Sequence, residues 1–393
     1  MAKCDKWLFL AALLLIGFGA LMIYSSTSVV TPVLERRGVT EFYYFKRHIF
    51  TILVGFAVMF AAFQMSPAFL KKISVPLLAL SFVLLILVFV PHIGVSAGGA
   101  RRWIRLWPST FQPSELVKLS MVIFLARYLS MPDYRPDNFV SFLKPLGVMV
   151  IFQAAFLKQP DFGAAMSLTI LTFSMLFLSG VKLRYIASLL LLAVPVIIKL
   201  AMEPYRLRRI TSFLNPWDDA QGSGFQLVQS FIALGSGGLT GVGLGSSKQK
   251  LAYLPESHTD FIFSIIGEEF GLIGVIFVIA LFLTLFTKGV SIANKAKDGF
   301  IYNLAIGLSL MVSLQALINF AVATGLVPTK GLPLPFISYG GSSLLVNMAA
   351  IGILLNISKG EDSAPVFNNR EILARRKARR NVNRRYNVAQ GSH

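Results

Sequence analysis

The sequence predicts an all-α polytopic membrane protein with about ten transmembrane helices, and three observations predict it. Hydrophobic residues make up 55% of the chain and charged residues only 14%, where soluble domains carry roughly a quarter charged residues. The apolar residues gather in runs of about 20, the length that crosses a hydrocarbon core of about 30 Å at about 1.5 Å per residue. Lys and Arg are confined largely to the segments between those runs and to the tail that follows residue 358.

Taken in order, the first run spans 7–25 and follows Lys3 and Lys6. It is long for a signal-peptide core, and no small-residue cleavage site follows it, so it reads as an uncleaved first helix. Spans at 47–65 and 74–93 come next. The fourth, 115–130, is interrupted by Glu115, Lys118 and Arg127, and the fifth, 142–158, carries Lys144. Further runs occupy 162–180, 183–201, 261–286, 300–325 and 337–357.

An even number of crossings places both termini on one side. Lys359, Arg370, Arg375, Arg376 and Lys377 lie close behind the last span, and positive residues beside a span stay cytoplasmic, so both ends are expected inside. Outside the tail, Lys and Arg are somewhat more numerous on the expected outer side, a surplus that asks for a reason. Residues 1–358 then form one ten-helix domain, and 359–393 a basic, polar tail expected to be disordered.

The outer loops run over 92–114, 202–260 and 326–336, the largest lying between the seventh and eighth helices. That loop contains an apolar stretch, Phe225 to Leu234, too short to span, which reads as a re-entrant or interfacial helix. Gly235 to Gly245 reads as a flexible, close-packed turn. No internal repeat stands out, which weighs against an inverted-repeat transporter.

Composition excludes several function classes. Cys4 is the single cysteine, so no disulfide framework exists, and no Cys/His set has zinc spacing. The net charge of +19 comes without a stacking or recognition motif, so no nucleic-acid partner is expected. The cations suit anionic membrane lipids or a substrate bearing a lipid phosphate or pyrophosphate.

Five segments carry candidate chemistry. Gly98 to Arg105 places three arginines around Trp103 on the outer face; Arg forks fit phosphate oxygens, and an interfacial belt is the alternative. Phe111 to Lys118 starts a helix at Pro113 and Ser114, with Glu115 and Lys118 sharing a face at i, i+3. Charges at such depth cost about 2.5–3.5 kcal/mol each at the bilayer centre and face a cavity or one another; the cavity wall is the expectation here. Lys158 to Gly163 is a tight turn in which Asp161 can cap the next helix or meet a ligand. Lys248 to Phe263 crowds Glu256, His258 and Asp260 at the entrance of the eighth span, where a carboxylate suits a general base as well as an N-cap. Glu268 and Glu269, deeper in that span, are costly and therefore suspect. Pro328 to Ser343 combines three prolines, Lys330 and a Gly-Gly-Ser-Ser helix entrance that allows close packing or close approach of a ligand.

These segments, in this order, resemble the SEDS family (shape, elongation, division and sporulation proteins) over about residues 7–358. Phe111 to Lys118, Leu254 to Gly267 and Pro328 to Ser343 carry the resemblance, and Thr329-Lys330-Gly331-Leu332 looks like the cell-division branch. The resemblance implies a peptidoglycan glycosyltransferase of the bacterial plasma membrane, its site extracytoplasmic, that polymerises lipid II into glycan strands. An elongation polymerase with the same chemistry and a lipid II flippase are the alternatives. The family's essential aspartate matches Asp260. Arg102, Lys118 and Lys330, with a divalent cation (Mg or Mn) as a possible helper, are expected to stabilise the departing pyrophosphate. Glu115, Asp161, His258 and Ser343 are expected at the substrate. The implied partners are a class B penicillin-binding protein transpeptidase, other division proteins and membrane lipids.

Overall fold

The computed structural model describes residues 4–27, 42–97, 100–106, 109–250, 258–329 and 331–360. Lys330, Glu256 and the tail beyond residue 360 lie outside the described residues. The chain forms α1 (Lys6–Thr27), α2 (Tyr43–Gln64), α3 (Pro67–Leu87), β1 (Gly94–Ala97), β2 (Ala100–Leu106), β3 (Ser109–Phe111), α4 (Pro113–Leu129), α5 (Phe139–Lys158), α6 (Phe162–Leu178) and α7 (Leu183–Ala201). It continues with α8 (Pro204–Leu214), α9 (Phe225–Gly237), α10 (Ile262–Lys295), α11 (Gly299–Ala323) and α12 (Gly341–Lys359).

A helix stands at each of the ten expected spans. Seven of them, α1, α2, α3, α5, α10, α11 and α12, are long and apolar enough to cross a membrane. Of the other three, α6 is apolar but only 17 residues long, and α4, also 17 residues, carries Glu115, Lys118 and Arg127. The fold is mostly helical, with one addition that helical periodicity did not signal. Residues 94–97, 100–106 and 109–111 form a three-stranded antiparallel sheet, β1–β2–β3, in register Gly94↔Ile104 and Ile104↔Phe111. Its last strand runs directly into α4.

The helix starts follow from local chemistry. Asp5 Oδ1 accepts the amides of Trp7 and Leu8, both at 3.0 Å. Ser66, Asn138 and Asp298 cap α3, α5 and α11 in the same way, each satisfying amides that have no helical partner. Because the spanning helices are apolar on all sides, lipid offers no hydrophobic drive for their association, and close packing decides their neighbours. A side chain at Gly55 of α2 would strike Met348 of α12, and one at Gly352 of α12 would strike the Met59 backbone of α2. The two helices therefore approach as closely as backbones allow. α11 and α12 are enclosed on nearly all faces and form the centre of the bundle.

The bundle has two chemically different ends. At one, the start of α1 meets the end of α12, with Asp5 N donating to Ser358 Oγ at 3.1 Å. At the other gather the end of α1, the starts of α2, α4, α6, α10 and α12, and the 331–340 segment. Every described candidate residue lies at this second end.

α10 is broken. Gly271 has φ +62° and ψ −159°, which interrupts the helical ladder. The carbonyls freed at Glu268 and Glu269 accept the amides of Val242 and Gly243 at 2.9 and 3.1 Å. The amides of Leu272 and Ile273 donate to Gly238 and Leu239 at 3.0 and 3.2 Å. The glycine-rich turn is thus spliced into the break, which satisfies groups that would be expensive if left bare in a membrane. Only glycine at 271 permits this, since a Cβ there would lie 2.5 Å from Gly241 N.

Candidate active site

The site is built around three consecutive backbone carbonyls ahead of α10. His258 O accepts from Tyr339 N at 2.8 Å. Thr259 O accepts from Ser338 Oγ at 2.5 Å. Asp260 O accepts from Asn319 Nδ2 at 2.8 Å. The segment that carries the candidate base is therefore fixed at every residue to α11 or to the 331–340 segment. The Asp260 carboxylate faces Gly331, where a Cβ would come within 2.9 Å of Oδ2. Glycine at 331 lets the backbone of that segment pack against the carboxylate without a clash. Phe261 stands at the N-cap position of α10 and contributes no side-chain cap bond, which puts Asp260 one residue ahead of the helix start.

Glu115 and Lys118 pair at 2.8 Å, each only 3% exposed. This is the mutual ion pair, where a cavity wall was expected. Removing such charges from water is affordable when geometry and further hydrogen bonds compensate. Lys118 Nζ also donates to Gln315 Oε1 at 2.6 Å. An ammonium can only donate, so the amide oxygen of Gln315 must face it. That orients Gln315 Nε2 toward Pro333 O at 2.9 Å and Ser343 Oγ at 3.0 Å. Asn347 Nδ2 donates to the same hydroxyl at 3.1 Å. Glu115 Oε2 is buried without a partner among the described residues.

Asp161 caps α6, accepting Ala164 N at 3.2 Å, and its other oxygen accepts Gln112 Nε2 at 3.3 Å. Gln112 N in turn donates to Ser342 Oγ at 2.8 Å. Arg102 lies on β2 and its guanidinium donates to the carbonyls of Gln159 and Pro160, which fastens the sheet to the turn before Asp161. His258 stands in a ring cluster with Tyr44 and Tyr339, centroids 5.5 and 5.8 Å away.

Asp260, Lys118, Glu115, Asp161, Arg102, His258 and Ser343 thus share one end of the bundle, and Lys330 lies outside the described residues. Glu268 and Glu269 do not belong with them. Glu268 accepts from Ser247 Oγ and Lys248 N, and Glu269 from Ser25 Oγ, Gly245 N and Lys250 Nζ. They anchor the large loop to α10. Sequence reasoning missed Gln315, Asn319 and Ser338. The signal was available for the first two, as buried amides at i, i+4 in an apolar helix must have partners. Among the described residues no group of three or more His, Cys, Asp or Glu is placed to hold a metal ion.

The cell cycle protein family named for FtsW, RodA and SpoVE matches residues 5–363. The probable peptidoglycan glycosyltransferase FtsW of Geobacter sp. (strain M18) is 44% identical over 356 residues, which cover 90% of this chain and 96% of that protein. Its counterpart in Coxiella burnetii is also 44% identical, over 361 residues, with the same coverage of 90% and 96%. Among solved structures, a chain from work described as "Structural coordination of polymerization and crosslinking by a peptidoglycan synthase complex" superposes with a TM-score of 0.76 at 28% identity, covering 93% of this chain and all of that one. The Thermus thermophilus rod shape determining protein RodA gives 0.67 at 26% identity, covering 92% and 99%.

Proposed function

The chain belongs to the FtsW/RodA/SpoVE family of cell cycle proteins, and from that premise we propose that it is a peptidoglycan glycosyltransferase that polymerises lipid II during septal wall synthesis. The observation that carries the mechanism is the fixed Asp260. Its carboxylate lies against Gly331 at the end of the bundle where Lys118, Asp161 and Arg102 also lie. The division assignment is supported by identity, since FtsW relatives match at 44% and a RodA structure at 26%.

Asp260 takes the proton from the acceptor GlcNAc 4-hydroxyl. That oxygen attacks the donor's anomeric carbon and forms the new glycosidic bond. The bond from the anomeric carbon to undecaprenyl pyrophosphate breaks, and its electron pair leaves on the pyrophosphate. One carboxylate base on the acceptor suits inversion, by analogy with inverting hydrolases. Lys118 and Lys330 stabilise the leaving charge, while Glu115 holds Lys118. Arg102 and Asp161 brace the rim that receives the substrate, and His258 with Tyr339 frames the base. The site end faces outward, both termini are cytoplasmic, and the outer surplus of Lys and Arg serves the pyrophosphate. A single-span class B transpeptidase crosslinks the product, a partnership supported by the likeness to a chain of a peptidoglycan synthase complex.

The test is polymerisation of lipid II by the purified chain in detergent, where there are no sides to flip between. Glycan chains are expected from the native protein and none from Asp260→Asn. Polymer of native length from the variant refutes Asp260 as base, and absence of polymer from the native protein refutes the activity.

A further inference from the structure

We infer that Gln315 and Asn319, one turn apart on α11, are positioning residues that set the separation between Lys118 and Asp260, an inference that rests on Asp260 being the base. Both side chains are almost fully enclosed, at 2% and 1% exposure, in a helix without a charged residue. Their donors go to adjacent carbonyls of one segment. Asn319 Nδ2 reaches Leu332 O at 2.8 Å and Gln315 Nε2 reaches Pro333 O at 2.9 Å. Their remaining contacts run in opposite directions. Gln315 Oε1 holds the Lys118 ammonium at 2.6 Å, and Asn319 Nδ2 holds Asp260 O at 2.8 Å.

A continuous hydrogen-bonded path therefore joins the cation to the base: Lys118, Gln315, the 332–333 backbone, Asn319, Asp260. The helix supplies the ruler, since residues i and i+4 lie on one face about one turn of 5.4 Å apart. Asn319 has two N–H bonds and spends both, one on each side of the join, so it cannot release one carbonyl without losing its grip between the two segments. Attack by the acceptor oxygen and departure of pyrophosphate occur on opposite sides of one carbon. The distance between the group that receives the proton and the group that meets the leaving charge is thus a catalytic variable. The amides fix it without touching substrate.

A purely structural tie between α11 and the 331–334 segment predicts something else, namely that stability, KM and kcat decline together. The experiment is steady-state polymerisation of lipid II by the full-length protein in detergent, with thermal unfolding measured on the same preparations. Asn319→Asp keeps the size but replaces both donors with acceptor oxygens. Its kcat is expected to fall roughly 10- to 100-fold, the scale of a misplacement near 1 Å, with KM near native and a lower unfolding temperature, because the new carboxylate is buried against two carbonyl oxygens. Asn319→Gln restores the donors on a longer arm and is expected to recover part of that loss. Gln315→Glu keeps an acceptor for Lys118, removes the donors to Pro333 and Ser343, and carries the same expectation as Asn319→Asp. A native kcat in Asn319→Asp overturns the inference. So does a parallel loss of kcat, KM and stability that Asn319→Gln does not relieve, and so does failure of both donor-deleting variants to accumulate as folded protein. A native enzyme that makes no polymer refutes the activity instead, a result distinct from all of these.

Discussion

The large loop should stand or fall with Glu269. Its side chain is fully enclosed and its oxygens accept Ser25 Oγ at 2.6 and 2.8 Å, Gly245 N at 3.1 Å and Lys250 Nζ at 3.5 Å. Lys250 is itself only 3% exposed at the side chain. In Glu269→Ala the Lys250 ammonium is left buried opposite no counter-charge, and Ser25 and Gly245 lose their acceptor. Breaking one partner of a buried pair costs about 3–5 kcal/mol. In Glu269→Gln an acceptor survives for Ser25 and Gly245, so the cost should fall to about 1–3 kcal/mol, that of a weakened charged hydrogen bond. Adding Lys250→Met to Glu269→Ala removes the stranded charge, and the double variant should be less destabilised than the sum by about 0.5–3 kcal/mol. Equilibrium unfolding in mixed micelles, followed by far-ultraviolet circular dichroism, measures all of these. A Glu269→Ala protein within about 0.5 kcal/mol of native, on the scale of an ordinary surface substitution, or strict additivity in the cycle, refutes the clasp.

Two other changes test neighbouring features. Gly271→Ala places a Cβ against Gly241 N at 2.5 Å and Leu239 C at 2.6 Å, at φ +62°. It should cost about 1–3 kcal/mol from backbone strain and hasten hydrogen exchange at Val242, Gly243, Leu272 and Ile273; unchanged exchange at those amides counts against the splice. Asp219 Oδ2 accepts Ser223 N at 2.8 Å and Ser223 Oγ at 2.7 Å, and the amide bond first and the hydroxyl second hold its carboxyl below the ordinary value of 3.8. A depressed folded pKa gives stability that is fully present above 3.8 and is lost as pH falls through the lower folded value. Asp219→Asn should therefore remove that acid-limb dependence from unfolding curves, and an unchanged acid limb counts against the contact.

Much of the helical plan was legible because apolar run length is a direct consequence of bilayer thickness. Each expected span holds a helix, and Phe225 to Leu234, too short to cross, became α9, packed by Leu227, Val228, Ser230 and Ala233. The unforeseen parts depend on contacts between distant segments. The sheet at 94–111 has strands of four, seven and three residues, too short for alternation to stand out beside the arginines. The break at Gly271 is invisible in a pattern that is apolar on both sides of it. It exists because Gly238 to Gly243 lies alongside to take up the freed groups. Arg102 was legible as a cation between spans, but its bonds to Gln159 O and Pro160 O were not.

Charge in an apolar span marks an exceptional place without saying which kind. The pair Glu115 and Lys118 and the pair Glu268 and Glu269 raised the same suspicion from sequence, because each carries a similar insertion cost. Hydrogen bonding separates them. Each oxygen of Glu268 and of Glu269 already has a partner within the chain, a loop donor or Ser25, so those carboxylates tie the loop to the scaffold. Glu115 spends one oxygen on Lys118 and keeps Oε2 buried without a partner. An orphaned buried acceptor carries a penalty of about 1–3 kcal/mol, more for a charge, and the carboxylate of Glu115 is the one charged group among the described residues that bears it. Such a cost is tolerable where a donor from outside the chain, such as a substrate hydroxyl or amide, arrives to take it up.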